Sequence, residues 1–175
     1  MSPETALLIV DTQVNMFDEE MSVFQGDRIL TTINAVAVLA RAQGALVIYL
    51  RNDGGAGEPD ERGTPGWEIH PSIAPHSNDV VIDKKSPDGF LGTELEKELE
   101  QRGVKKLVIA GMQTEYCIDV TSRRASQLGY EVIVVEDGHT TFDFEEMTAT
   151  EAIAKYNTEL AHILTVAKVA DIEFS

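Results

Sequence analysis

Residues 106–137 read KLVIAGMQTEYCIDVTSRRASQLGYEVIVVED. The segment opens on one apolar run, Lys106 to Gly111, and closes on another, Glu131 to Asp137. Between them, an amphipathic stretch follows Cys117 and ends near Gly129. Continuous Val, Ile and Leu runs, unlike alternating ones, mark strands covered on both faces. A strand, a helix and a second strand in that order predict a right-handed crossover between parallel strands.

The same alternation runs outward in both directions. Ala6 to Val10 reads as a strand, and residues 27–44 read as a helix in which Ile29, Ile33, Val36 and Ala40 share a face and Gly44 caps the end. Ala45 to Leu50 and Asp79 to Asp83 read as further strands. Thr93 to Glu96 has the capping-box pattern and opens a helix to Arg102, with Gly103 after it. Thr148 to Glu151 repeats that pattern before a helix to about Leu160, and Ile163 to Val169 reads as a last strand. The expectation is one α/β domain over residues 1–175, with three α/β/α layers around a six-stranded parallel sheet. Arg51 to Asn78 breaks the alternation: it is rich in Gly and Pro and holds the only tryptophan, Trp67. So long a loop reads either as an excursion pinned by Trp67 or as a lid.

Composition narrows the function. Hydrophobic residues make up 43% and charged residues 25% of the chain, which is ordinary for a globular protein. A formal net charge of -16 repels phosphate backbones and anionic lipid, so neither nucleic acid nor membrane is an expected partner. The opening MSPETALLIVDTQ has no basic region, and its apolar run is too short for a signal peptide or a membrane span. A single cysteine forms no internal disulfide, which points to a reducing, cytoplasmic setting.

In open parallel sheets, ligands bind beyond the carboxyl ends of the strands. Asp11 directly follows the first strand, Lys84 and Lys85 follow the third, and Cys117 follows the fourth at the start of a helix. Singly, each has an ordinary explanation: a turn-capping Asp, solvated lysines, a small apolar filler. Together they supply a base, a cation and a thiol on one edge. A free thiol is only a few per cent thiolate at pH 7, and a helix N-terminus and a nearby ammonium both favour the thiolate. The reading is Cys117 as nucleophile, Asp11 as base and Lys84 as the stabilising charge. His139 follows the fifth run and reads as a loop or pocket-rim residue, with a Cys117–His139 pair as the minor alternative. His162 reads as structural or surface, and Arg123 and Arg124 as ion-pair or subunit-facing residues. Gly54 to Gly57 only faintly suggests a phosphate loop, because the third glycine is missing and Glu58, Asp60 and Glu61 would repel phosphate.

The segments VDTQVNMF, DKKSPDGFLGTEL and AGMQTEYCIDVTSRRASQLGYEVIVVEDG resemble, in order, the isochorismatase-like cysteine hydrolases. That family includes nicotinamidases, N-carbamoylsarcosine amidohydrolases and ureidoacrylate-type amidohydrolases. The resemblance implies a Rossmann-like sheet and an Asp–Lys–Cys triad matching Asp11, Lys84 and Cys117. Lys84, six positions before Phe90, fits the family spacing better than Lys85. The resemblance also implies a cis peptide before Gln113 and an oxyanion hole formed by the Gln113 and Cys117 N–H groups. Gln13, Phe17, Trp67, Phe90 and Tyr116 are the expected substrate-binding residues, with core packing the alternative for Tyr116. The nicotinamidase metal pattern is missing from LRNDGGAGEP, so no metal and no cofactor are expected. True isochorismatases cleave a vinyl ether and typically lack the cysteine, so Cys117 favours hydrolysis of a small amide or ureido substrate. The family commonly assembles, which implies a homo-oligomer, dimer or tetramer. A non-catalytic α/β binding protein and a nucleotide-dependent oxidoreductase are the competing classes.

Overall fold

The computed structural model describes residues 4–175. Met1 to Pro3, part of the N-terminal stretch read above, lie outside the described residues. Six strands form one parallel sheet: β1 (Thr5–Val10), β2 (Leu46–Asn52), β3 (Val80–Lys84), β4 (Lys106–Met112), β5 (Glu131–Thr140) and β6 (Thr165–Ala167). Their order is β3-β2-β1-β4-β5-β6. The chain winds outward from β1 in one direction and from β4 in the other, so the switch point lies between these two strands. That is where a doubly wound sheet opens a crevice for ligands.

Both faces of the sheet are covered. On one face, Leu7, Ile9, Val47, Tyr49 and Val108 pack against Ile29, Ile33, Val36 and Ala40 of α1 (Gly26–Ala42), joined by Ile172 and Phe174 near the C-terminus. On the other, Leu8, Val10, Ile48, Leu107 and Ile109 meet Leu95 and Leu99 of α2 (Leu95–Gln101), Ala125 of α3 (Asp119–Gln127) and Leu160 of α4 (Ala149–Leu160). Each fully buried aliphatic side chain of this kind stabilises the fold by about 1.5–3 kcal/mol. Burial on both faces explains why the strands read as unbroken apolar runs.

The two capping-box patterns behave differently. Thr148 and Glu151 form the full reciprocal box at the start of α4. Thr93 does not: its hydroxyl donates to Gly89 O at 2.7 Å and accepts from Leu95 N at 3.3 Å, and α2 begins only at Leu95 after Glu94. Thr93 is thereby committed to the loop that follows β3. The last strand is shorter than expected: only Thr165–Ala167 pairs, and Val169–Asp171 turns into a 3-10 helix. Among the described residues, no helix is long and apolar enough to cross a membrane.

The fifth strand is longer than its apolar run. Its register against β4 shifts between Ile109 and Gly111, so that Val134 pairs with Ile109 and His139 with Gly111. This bulge brings His139 into the sheet. It is therefore buried strand, not the loop or rim residue expected from the sequence.

Candidate active site

Asp11, Lys84 and Cys117 meet at the carboxyl edge, beside the switch point. Asp11 directly follows β1 and lies in the left-handed region, at φ 52, which Asp tolerates better than most residues. Its N–H donates to Leu50 O at 2.9 Å, which fixes the turn. Lys84 is the last residue of β3 and is 2% exposed. Its Nζ donates to Asp11 Oδ2 at 3.0 Å and to Cys117 Sγ at 3.3 Å. The same ammonium donates to Ser86 O at 3.0 Å and to Asn52 Oδ1 at 3.3 Å. Lys85, one residue on, points outward with its side chain 82% exposed.

Cys117 lies in a π-helical turn, Thr114–Ile118, that precedes α3; the expected helix start at Cys117 is this turn instead. The Tyr116 and Ile118 N–H groups both donate to Gln113 O, at 3.2 and 3.1 Å. The Met112–Gln113 peptide is cis. Gly111, just before it, has φ 128 and packs so closely on the Val10 backbone that a Cβ would clash. Only glycine suits that position, which brings the β4 turn against the end of β1.

The electrostatics depart from the expected thiolate. Burial, reinforced by the Asp11 charge and opposed by Lys84, pushes the Cys117 thiol up to about 12. The resting sulfur therefore carries its proton. Burial also raises Asp11 above the usual carboxylate range, against the pull of Lys84. Lys84 is raised despite a burial penalty, because Asp11 and Cys117 favour its charged form. Asp11 Oδ1 is buried and has no hydrogen-bond partner among the described residues. The arrangement is a protonated thiol, a carboxylate with a free lone pair, and a fixed ammonium touching both.

These groups open into a cavity of about 490 Å³, lined in part by Asn15, Met16, Asp60, Gln113 and Tyr116. A wider groove of about 1080 Å³ adjoins it and shares Asn15, Met16 and Gln113. Tyr116 lines the cavity and is 56% exposed, which makes it a rim residue and not core. Phe17 lines the adjoining groove, its ring edge-on to His70 with centroids 4.9 Å apart.

Three expected substrate contacts are placed elsewhere. Gln13 is buried and its amide is committed: Nε2 donates to Asn52 O and Trp67 O, at 2.8 and 3.0 Å, and Oε1 accepts from Asn52 N at 2.8 Å. Trp67 is buried under the Arg51 guanidinium, 3.4 Å from the ring centroid. Phe90 belongs to the core and stacks on Tyr130. All three support the wall and do not form it.

Asn52 was missed. It accepts from Lys84 and passes a hydrogen bond from Nδ2 to Asp60 Oδ2 at 2.6 Å, tying β2 to the long loop. Its signal was the one that revealed Asp11, a polar residue just past an apolar strand. The Arg51–Asn78 loop itself packs inward through Trp67 and Ile73 and supplies Asp53, Gly54 and Asp60 to the cavity. His139 bonds Thr114 and Asn157, not Cys117. Arg123 pairs with Asp119, and Arg124 lies 3.9 Å from Asp88. No group of three or more His, Cys, Asp or Glu among the described residues is placed to hold a metal ion.

A parallel sheet in this order, with an acid, a lysine and a cysteine at its switch point, defines a class. The chain belongs to the isochorismatase family, whose Isochorismatase domain model matches residues 5–168. It is 38% identical over 138 residues to streptothricin hydrolase of Streptomyces noursei. That match covers 79% of this chain and 50% of the relative, so the chain spans about half the length of that protein. It is 25% identical over 193 residues to the ureidoacrylate amidohydrolase of Agrobacterium fabrum, covering 87% of this chain and 84% of that protein. The crystal structure of a cysteine hydrolase from Pseudomonas syringae pv. phaseolicola superposes with a TM-score of 0.89 at 27% identity, covering 96% of this chain and 90% of that one.

Proposed function

We propose that this protein is a cysteine hydrolase that cleaves the C–N bond of a small amide or ureido substrate. The observation that carries the reading is the buried Lys84 ammonium, which bonds both Asp11 and Cys117 where those two residues line one cavity. The relatives named hydrolase and amidohydrolase support the same reaction class.

The resting thiol is protonated, so attack and proton transfer are coupled. Cys117 Sγ attacks the carbonyl carbon as its proton passes to Asp11, whose raised pKa makes it the better base. Lys84 offsets the negative charge that moves between sulfur and carboxylate. The carbonyl oxygen becomes an oxyanion held by the Gln113 and Cys117 N–H groups. Asp11 returns the proton to the leaving nitrogen, the C–N bond breaks, and ammonia or an amine departs. Water then attacks the thioester while giving a proton to Asp11. Sulfur leaves, recovers that proton, and the acid or carbamic acid is released.

The test is a release assay for ammonia and primary amines over small amides and ureides, with Cys117→Ala as the blank. Turnover by the native protein and its loss in Cys117→Ala are expected. Turnover that survives Cys117→Ala overturns the assignment of the nucleophile.

A further inference from the structure

His139 is a buried titratable group that the mechanism above does not use, and both of its ring nitrogens are engaged. Nδ1 lies 2.8 Å from Thr114 Oγ1, and Nε2 lies 2.7 Å from Asn157 Oδ1. The polarity of this chain can be fixed from one end. Asn157 Nδ2 donates to the Glu136 carbonyl at 3.2 Å, and a carbonyl can only accept. The Asn157 amide oxygen therefore faces His139, so Nε2 carries the ring proton. Nδ1 is left with its lone pair and must accept from the Thr114 hydroxyl. Burial holds the imidazole neutral, as this requires, with the hydrogen bond to Asn157 Oδ1 opposing.

Thr114 opens the turn that carries Cys117, and it directly follows Gln113. Thr114 is fully buried and His139 is 2% exposed, so water does not compete for their bond. Asn157 lies on α4 and His139 on β5 beyond the bulge. The chain of bonds thus ties the nucleophile's turn to two elements that contribute no reacting group.

We propose that His139 is a positioning residue, holding through Thr114 the turn that presents Cys117 and Gln113 to the substrate carbonyl. The proposal rests on the cysteine-hydrolase reading. It excludes a thiol–imidazole pair, since neither ring nitrogen is free for the sulfur. A shift of about 1 Å in such a turn can cost about 10²-fold in rate.

The test measures the second-order rate of Cys117 alkylation by iodoacetamide, itself a small amide, in folded protein checked by cooperative thermal unfolding. Thr114→Val keeps the side-chain shape and removes the donor; it is expected to slow alkylation by about tenfold or more. Thr114→Ser restores the hydroxyl and is expected to stay within about threefold of the native rate. A second pair acts from the other side. His139→Gln can still accept and donate and should resemble the native protein, whereas His139→Phe can do neither and should resemble Thr114→Val. Native rates in folded Thr114→Val or His139→Phe overturn the positioning role. Failure of the native protein to release ammonia or amine from any small amide or ureide would instead overturn the hydrolase reading.

Discussion

Lys84 and His139 are both buried at the carboxyl edge of one sheet, yet they are held in opposite states. Lys84 faces a carboxylate and a thiol, and stays charged in spite of its burial. His139 faces a hydroxyl and an amide, and its burial keeps it neutral. Burial disfavours charge in both; the nearest partner decides the outcome. The difference divides the site. Asp11 and Lys84, at the ends of β1 and β3, hold the charges that take up and offset the Cys117 proton, whereas Thr114, His139 and Asn157 hold neutral hydrogen bonds that move nothing.

Removing the Lys84 charge is the hardest blow to that division. Lys84→Met leaves Asp11 buried without its cation, a loss of about 3–5 kcal/mol in urea unfolding. Acyl transfer is expected to slow by at least about 10²-fold, read by amine release. Unchanged stability would mean that the charged side contributes no more than the neutral one.

A smaller effect separates the two sides by pH. The folded pKa of His139 lies below that of the unfolded chain, about 6.5. Above that value neither state binds the proton, and the full stability is present. As pH falls below it, the unfolded chain takes up a proton that the folded one refuses, and stability drops until the folded pKa is reached. The charged groups around His139 are Glu136 and Asp137 on its own strand, Arg28 on α1 and Lys168. Asp137 favours protonation but is outweighed by burial. His139→Gln should flatten the fall in urea midpoint between pH 7.5 and pH 5.5; an equal fall in both proteins would place the titration elsewhere.

The smallest effect is expected one residue from the largest. Lys85 is exposed and lies 3.8 Å from Asp53 at the cavity edge. Lys85→Ala should leave the unfolding midpoint unchanged and amine release within about twofold, since such exposed pairs contribute little. A loss comparable to Lys84→Met would show that the two lysines had been assigned the wrong way round.

The sheet and its reactive edge were legible because they follow from pattern alone. Asp11 and Lys84 each stand where an apolar run ends, and Cys117 stands a short turn beyond one. What escaped depends on partners far away in sequence. The bulge that carries His139 into the sheet passes through Glu136, Asp137 and Gly138, so the apolar run stops at Val135 and the strand reads as ending there. Gln13, Trp67 and Phe90 are chemically suited to bind a substrate, and only the fold shows that backbone, guanidinium and core have already claimed them.

The lone indole of Trp67 has a use apart from catalysis. Arg51 lies across its ring while gripping Asp83 at 2.7 Å, and Gln13 holds its backbone carbonyl. Its ring is clamped where the long loop meets β2 and β3. With no second tryptophan to dilute the signal, the molecule carries a built-in optical gauge. Its emission reports, without any label, whether the wall of the cavity stays closed against the sheet.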